Sequence, residues 1–141
     1  MPKAINISAI EAKEIKSLPS NTVLISINQP DEPLVPLKLD RNSSKILTVR
    51  FWDICSNREY NGQTITPIDY ETCCEILNFI KRHRGQNFVI HCAAGISRSA
   101  AICLYLHIIH RYELKPKFYH VSRPNKYVLG YLMFAKFCDL S

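Results

Sequence analysis

Phe88-Val89-Ile90-His91-Cys92-Ala93-Ala94-Gly95-Ile96-Ser97-Arg98-Ser99 decides how this chain folds. Phe88 to His91 is a short apolar run of β-formers, which reads as the end of a buried strand. Ser99 to about Arg111 is apolar on nearly every side and reads as a buried helix. The small residues between them form a tight loop that wraps onto the helix N-terminus. Such a loop can turn its backbone N–H groups inward, and with the helix dipole behind them it makes an anion site. Gly95 supplies a position free to take positive φ, which a curling loop needs. Arg98 brings a planar fork that matches two phosphate oxygens. Cys92 faces this positive bowl, and the field that holds a dianion also favours thiolate over thiol. The chemistry implied is attack of sulfur on phosphorus, giving a cysteinyl-phosphate that water hydrolyses.

Taken singly, each residue has a plainer reading. Cys92 reads as a buried structural thiol, Arg98 as a surface cation and Gly95 as an ordinary turn. Their order between a strand and a helix changes the weight. His91-Cys92-Ala93-Ala94-Gly95-Ile96-Ser97-Arg98-Ser99 resembles the H-C-x-x-G-x-x-R-[ST] signature of the cysteine-dependent protein tyrosine phosphatases. Its wording is closest to the small dual-specificity branch. The resemblance implies a phosphate-binding loop of Ala93, Ala94, Gly95, Ile96, Ser97 and Arg98, with Cys92 as nucleophile and Arg98 as clamp. It implies that Ser99 eases release of the sulfur and that His91 shapes the loop from behind. It also implies an α/β fold, a single layered domain over 1–141 whose central, mostly parallel sheet is flanked by helices.

A phosphomonoester leaves as an alkoxide or phenoxide, so a general acid is expected within reach of the loop. In the resembled family this is an aspartate on a mobile loop upstream of the cysteine. Asp53 is the expected residue, because it follows a strand and lies beside Trp52, whose shielding would raise a carboxyl pKa. Its distance from Cys92 is longer than is typical of the small dual-specificity enzymes, and the polar stretch Cys55 to Thr64 accounts for the difference. Asp69 is the rival, although helix capping explains it already, and Glu59 is a third option. Arg123-Pro124-Asn125 resembles the region after the loop in which an asparagine braces it. Asn125 is the residue so implied, with helix capping as its plainer reading.

Outward from this centre, Ile5 to Ile7 reads as a strand. Ser8 with Glu11 forms a capping box for a helix to about Lys16. Thr22 to Ile27 is a buried strand, Asn28 to Asp40 a proline-rich loop, and Lys45 to Phe51 another strand. Cys55 to Thr64 is polar, with Asn61-Gly62 as a turn. Thr66 reads as the cap of a helix from Pro67 to about Lys81, with Asp69 in its first turn and Cys73, Ile76, Leu77 and Ile80 facing inward. A last helix is expected from about Ser122 to Cys138.

With 141 residues the chain is expected to be one domain. Residues 1 to 10 carry no apolar leader, and the longest apolar region, Ala100 to Ile109, is far short of the roughly 20 residues of a membrane span. A cytoplasmic protein is therefore expected. The six cysteines contain no C-x-x-C pair, so they read as reduced thiols. Cys55 is a candidate redox partner for Cys92. His107 and His110 lack a third ligand for a metal. The basic run Lys81-Arg82-His83-Arg84 complements a helix C-terminus. Cys138-Asp139-Leu140-Ser141 formally fits a prenylation box but lacks a polybasic run before it.

The formal charge of +6 suits phosphorylated, acidic substrates. The expected activity is hydrolysis of phosphomonoesters on proteins, on phosphotyrosine and also on phosphoserine and phosphothreonine. The expected partners are phosphorylated proteins, with no nucleic acid and no membrane. No metal or cofactor is expected, because sulfur, guanidinium and amides supply the chemistry. The alternatives are a phosphoinositide or RNA 5′-phosphatase of the same fold and a phosphate-binding pseudoenzyme. Neutral Ala93, Ala94, Ile96 and Ser97 count against the first, since lipid-specific relatives tend to carry basic residues in the loop. Intact Cys92, Arg98 and Ser99 count against the second.

Overall fold

The computed structural model describes residues 1–138. In chain order the strands are Lys3–Ile7 (β1), Thr22–Asn28 (β2), Ile46–Arg50 (β3), Arg58–Tyr60 (β4), Gln63–Ile65 (β5), Asn87–His91 (β6) and Glu113–Leu114 (β7). The helices are Ala9–Lys13 (α1), Tyr70–Arg82 (α2), Arg98–His110 (α3), Phe118–Val121 (α4) and Lys126–Cys138 (α5). Five strands form one sheet in the order β3-β2-β6-β1-β7, and every pairing in it is parallel. The fold is α/β, with this parallel sheet flanked by helices, as expected.

Parallel strands all end at the same edge, and the register here is close. His91 of β6 sits opposite Ile7 of β1 on one side and Ser26 of β2 on the other. The residues that follow these strand ends therefore meet outside the carboxyl edge of the sheet, where α/β folds hold ligands. All seven residues of β2 are buried, which is why its sequence reads as a continuous apolar run rather than an alternation. α3 packs on β1, β6 and β7 and against α5, so its ring of buried residues has partners on every side.

Local signals account for most element ends. Ser8 accepts from the Glu11 N–H while the Glu11 carboxylate accepts from the Ser8 N–H, a complete capping box. The helix it opens stops at Lys13, earlier than expected. α2 starts later than Thr66-Pro67 suggested. Asp69 is its N-cap, accepting from the Thr72 N–H at 2.8 Å, rather than an acid in its first turn. Its buried face is Cys73, Ile76, Phe79 and Ile80, with Leu77 only half-buried. α5 also starts later, at Lys126 rather than Ser122.

Four elements were not foreseen. The polar stretch after Cys55 is a hairpin, β4 with β5, and its Asn61-Gly62 turn has φ of 51° and 77°. Two successive positive φ values are what a two-residue hairpin turn of the right twist demands. β7 and α4 fill the connection after α3, where only a loop was expected. Among the described residues no helix is long and apolar enough to cross a membrane. Asp139, Leu140 and Ser141 of the expected prenylation box lie outside the described residues.

Candidate functional site

The loop from Ala93 to Ser97 is held to the end of β1 by a short set of bonds. The Ala9 N–H donates to the Ala93 carbonyl at 2.9 Å, and Asn6 Nδ2 donates to the Gly95 carbonyl at 2.7 Å. Gly95 has φ +75°, and a Cβ there would lie 2.5 Å from the Ile7 carbonyl carbon. Backbone thus passes against backbone with no room for any side chain. On the far side the Arg123 N–H donates to the Ile96 carbonyl at 2.8 Å and the Asn125 N–H to the Ser97 carbonyl at 3.1 Å.

These bonds take the carbonyls of Ala93, Gly95, Ile96 and Ser97 and leave the donors of the loop. Among the described residues nothing accepts from the backbone N–H of Ala93, Ala94, Gly95, Ile96, Ser97 or Arg98. Ser97 is the N-cap of α3, yet its side chain makes no capping bond. A run of free N–H groups at a helix start is an anion cradle.

Cys92 and Arg98 stand at the two ends of this loop. Cys92 is buried, with its Sγ 3.1 Å from Ser99 Oγ. Arg98 is only 4% exposed. Its Nη1 donates to the Phe51 carbonyl at 2.8 Å and to Gln29 Oε1 at 3.1 Å. Its Nε is buried without an acceptor, and Nη2 has none among the described residues. One nitrogen therefore anchors the guanidinium, and the Nε–Nη2 edge, the one that grips an oxyanion with two parallel bonds, has no acceptor among the described residues. A buried unpaired donor costs stability unless a ligand fills the need.

Asp53 reaches the same place. Its Oδ1 accepts from Ser97 Oγ at 2.8 Å and from Asn125 Nδ2 at 2.9 Å, and its Oδ2 has no acceptor or donor partner among the described residues. One expectation about it fails. Asp53 is exposed, and Trp52 packs on Tyr60 of the hairpin, with ring centroids 5.3 Å apart, instead of enclosing the carboxyl. Asp69 and Glu59 have other work. Hydrogen bonds from Thr72 hold the Asp69 carboxyl below its usual range, and Glu59 accepts from Thr64 Oγ1 at 2.7 Å on the hairpin.

Asn125 does two jobs at once. Its Oδ1 accepts from the Val128 N–H at 3.0 Å, which caps α5, while Nδ2 holds Asp53 and the Ile54 carbonyl. Capping and bracing are not rivals here, because an amide has an acceptor for one and donors for the other.

His91 is fully buried behind the loop. Ser26 Oγ accepts from Asn28 Nδ2 and from Arg41 Nη1, which uses both of its lone pairs. Its own proton therefore points at His91 Nε2, 2.6 Å away. That assigns the proton of the ring to Nδ1, which donates to the Cys92 carbonyl at 3.1 Å. Burial, helped by the nearby Arg41 and Arg98 charges, lowers the His91 pKa, so the ring is neutral at pH 7.

Gln29, Asn6, Ser26, Asn28 and Arg41 were not singled out in the sequence. Two of them had a signal, since Asn6 inside Ile5-Asn6-Ile7 and Ser26 inside Thr22 to Ile27 are polar residues that must find partners when buried. The candidate metal pair is not joined: His107 Nδ1 lies 2.7 Å from the Tyr112 carbonyl, and the His110 ring stands against Tyr105. All six cysteines are free, and Cys55 Sγ donates to Asn125 Oδ1 at 3.5 Å. No protein-family model matches the chain, and no curated protein matches it.

Proposed function

We propose that the chain is a cysteine-dependent phosphatase of the dual-specificity kind, acting on phosphomonoesters of proteins. The observation that carries this reading is the unpartnered Nε–Nη2 edge of buried Arg98 at the end of a loop of unpartnered amides that begins at Cys92. The bound phosphoryl oxygens take the amides and the Arg98 edge. Cys92 attacks phosphorus, and the ester oxygen leaves with the proton from the Asp53 carboxyl. The sulfur–phosphorus bond forms as the phosphorus–oxygen bond breaks. Water then attacks phosphorus and gives its proton to Asp53. The sulfur leaves as thiolate, and the Ser99 hydroxyl at 3.1 Å donates to it.

Asp53 is tethered through Oδ1, which keeps Oδ2 for the travelling proton. The neutral side chains of the loop leave no charge for the further phosphates of an inositol lipid or an RNA end, which supports a protein substrate. A reducing, cytoplasmic setting goes with a nucleophile that has to stay a thiol. The test is phosphate release from matched phosphotyrosine and phosphothreonine peptides, with reductant. The wild-type chain is expected to turn over and Cys92→Ser is not. Equal release by both, or by neither, refutes the assignment. The tyrosine-to-threonine ratio reports how deep a phosphoamino acid has to reach.

A further inference from the structure

The basic run that closes α2 has a setting its sequence did not reveal. The last turns of α2, α3 and α5 meet around a cavity of ≈ 160 Å³ lined by Lys81, Arg84, Tyr105, His110 and Lys136, with the Asn78 amide beside them. The lining holds three formal cations and no carboxylate. Among the described residues the one ion pair is Lys38 with Glu14, and none of the three cations hydrogen-bonds a protein acceptor. Helix dipoles explain part of this. Three C-terminal ends amount to about −1.5 charges, which leaves roughly half of the positive charge unanswered.

Tyr105 adds a second, independent sign. It is fully buried, and its hydroxyl has no hydrogen-bond partner. Burial pushes the phenol up to about 12, so it stays a donor. Arg84 lies near enough to act on the charge of both Tyr105 and His110, and Lys136 acts on His110. Burial and these two cations lower the His110 pKa, so the imidazole is neutral at pH 7. A trapped water would satisfy the hydroxyl, and solvent reaches the exposed Lys81 and Arg84, but neither balances three cations with no carboxylate among them.

We infer that this cavity is a second oxyanion site that takes a phosphate group. Arg84, Lys136 and Lys81 supply the charge, and the Tyr105 hydroxyl donates to one oxygen. The site is separate from the cradle: Tyr105 lies two turns, about 10 Å, further along α3 than Arg98. The inference stands whether or not the cradle is catalytic.

The test is an amide chemical-shift titration of the full Cys92→Ser chain, which leaves esters intact, with inorganic phosphate and separately with methyl phosphate. Shifts are expected at residues 81–84 and 105–110. They should persist when Arg98→Met is added and vanish when Arg84→Ala and Lys136→Ala are added instead. Tyr105→Phe should weaken binding about fivefold, the loss of one hydrogen bond. A response to inorganic phosphate alone identifies the free ion as ligand, and a response to methyl phosphate identifies an esterified group. Shifts confined to residues 93–99, or none at residues 81–84 up to about 10 mM of either ion, overturn the inference.

Discussion

At the scale of single residues, Gly95 and Asn125 make the sharpest demands. Gly95 combines positive φ with backbone so near that an added Cβ would lie 2.5 Å from the Ile7 carbonyl carbon, so Gly95→Ala has to move either β1 or the loop. The strained backbone alone costs about 1–3 kcal/mol. Denaturant unfolding should show a loss of at least that size, with turnover falling further than stability explains. Asn125 can be divided into its two roles. Asn125→Ser keeps a capping oxygen but cannot hold Asp53, whereas Asn125→Ala loses both. Both variants should lose turnover alike, while only Asn125→Ala loses the full cap of about 1 kcal/mol in a thermal melt. Asp53→Asn removes the proposed proton carrier and leaves its bond from Ser97 in reach. Turnover should fall about 10²- to 10³-fold with little change in melting temperature.

At the scale of elements, the strand–loop–helix around Cys92 was legible because each part carries its own local signal. Buried β-formers, a glycine that only a turn with positive φ requires, and an apolar helix all lie in sequence order. The hairpin was not legible. β4 and β5 are short and polar, and nothing in Arg58-Glu59-Tyr60 alternates, so only the Asn61-Gly62 turn showed. The late start of α2 has the same kind of cause. Both Thr66 and Asp69 are good caps, and only tertiary packing chooses between them. The partners of Arg98 and His91 were hidden for a different reason. Phe51 contributes a carbonyl, and Ser26 contributes a hydroxyl at the level of His91, and register rather than residue type brings them there.

The β2–β6 pairing also has a pH signature. The folded pKa of His91 is lowered, so the unfolded chain binds more protons in the window below about pH 6.5. The stability that His91 provides is complete above that value and is lost as pH falls through it toward the lower folded pKa. Between pH 7.5 and 5.5 the wild-type chain should therefore lose more stability than His91→Gln, as read by chemical unfolding at each pH. His110 shifts in the same direction but is present in both chains, so the difference isolates His91.

At the scale of the whole molecule, one parallel sheet gathers the ends of β1, β2, β3 and β6 at one edge. Residues far apart in sequence, Asn6, Gln29, Phe51, Asp53 and Arg98, thereby share one small volume. The net charge of +6, with a single ion pair among the described residues, leaves most cations unneutralised. Steering of acidic phosphopeptides should therefore be salt-sensitive. Raising the ionic strength should increase KM and leave kcat nearly unchanged.

The central claim is that phosphate passes through the sulfur of Cys92. It is tested most directly by acid-quenching the Ser99→Ala chain during turnover of a phosphotyrosine peptide, then mapping the covalent adduct by mass spectrometry. With breakdown of the intermediate slowed, a phosphoryl group is expected on Cys92. Phosphate release with no adduct on Cys92, or with the adduct on another residue, contradicts the account.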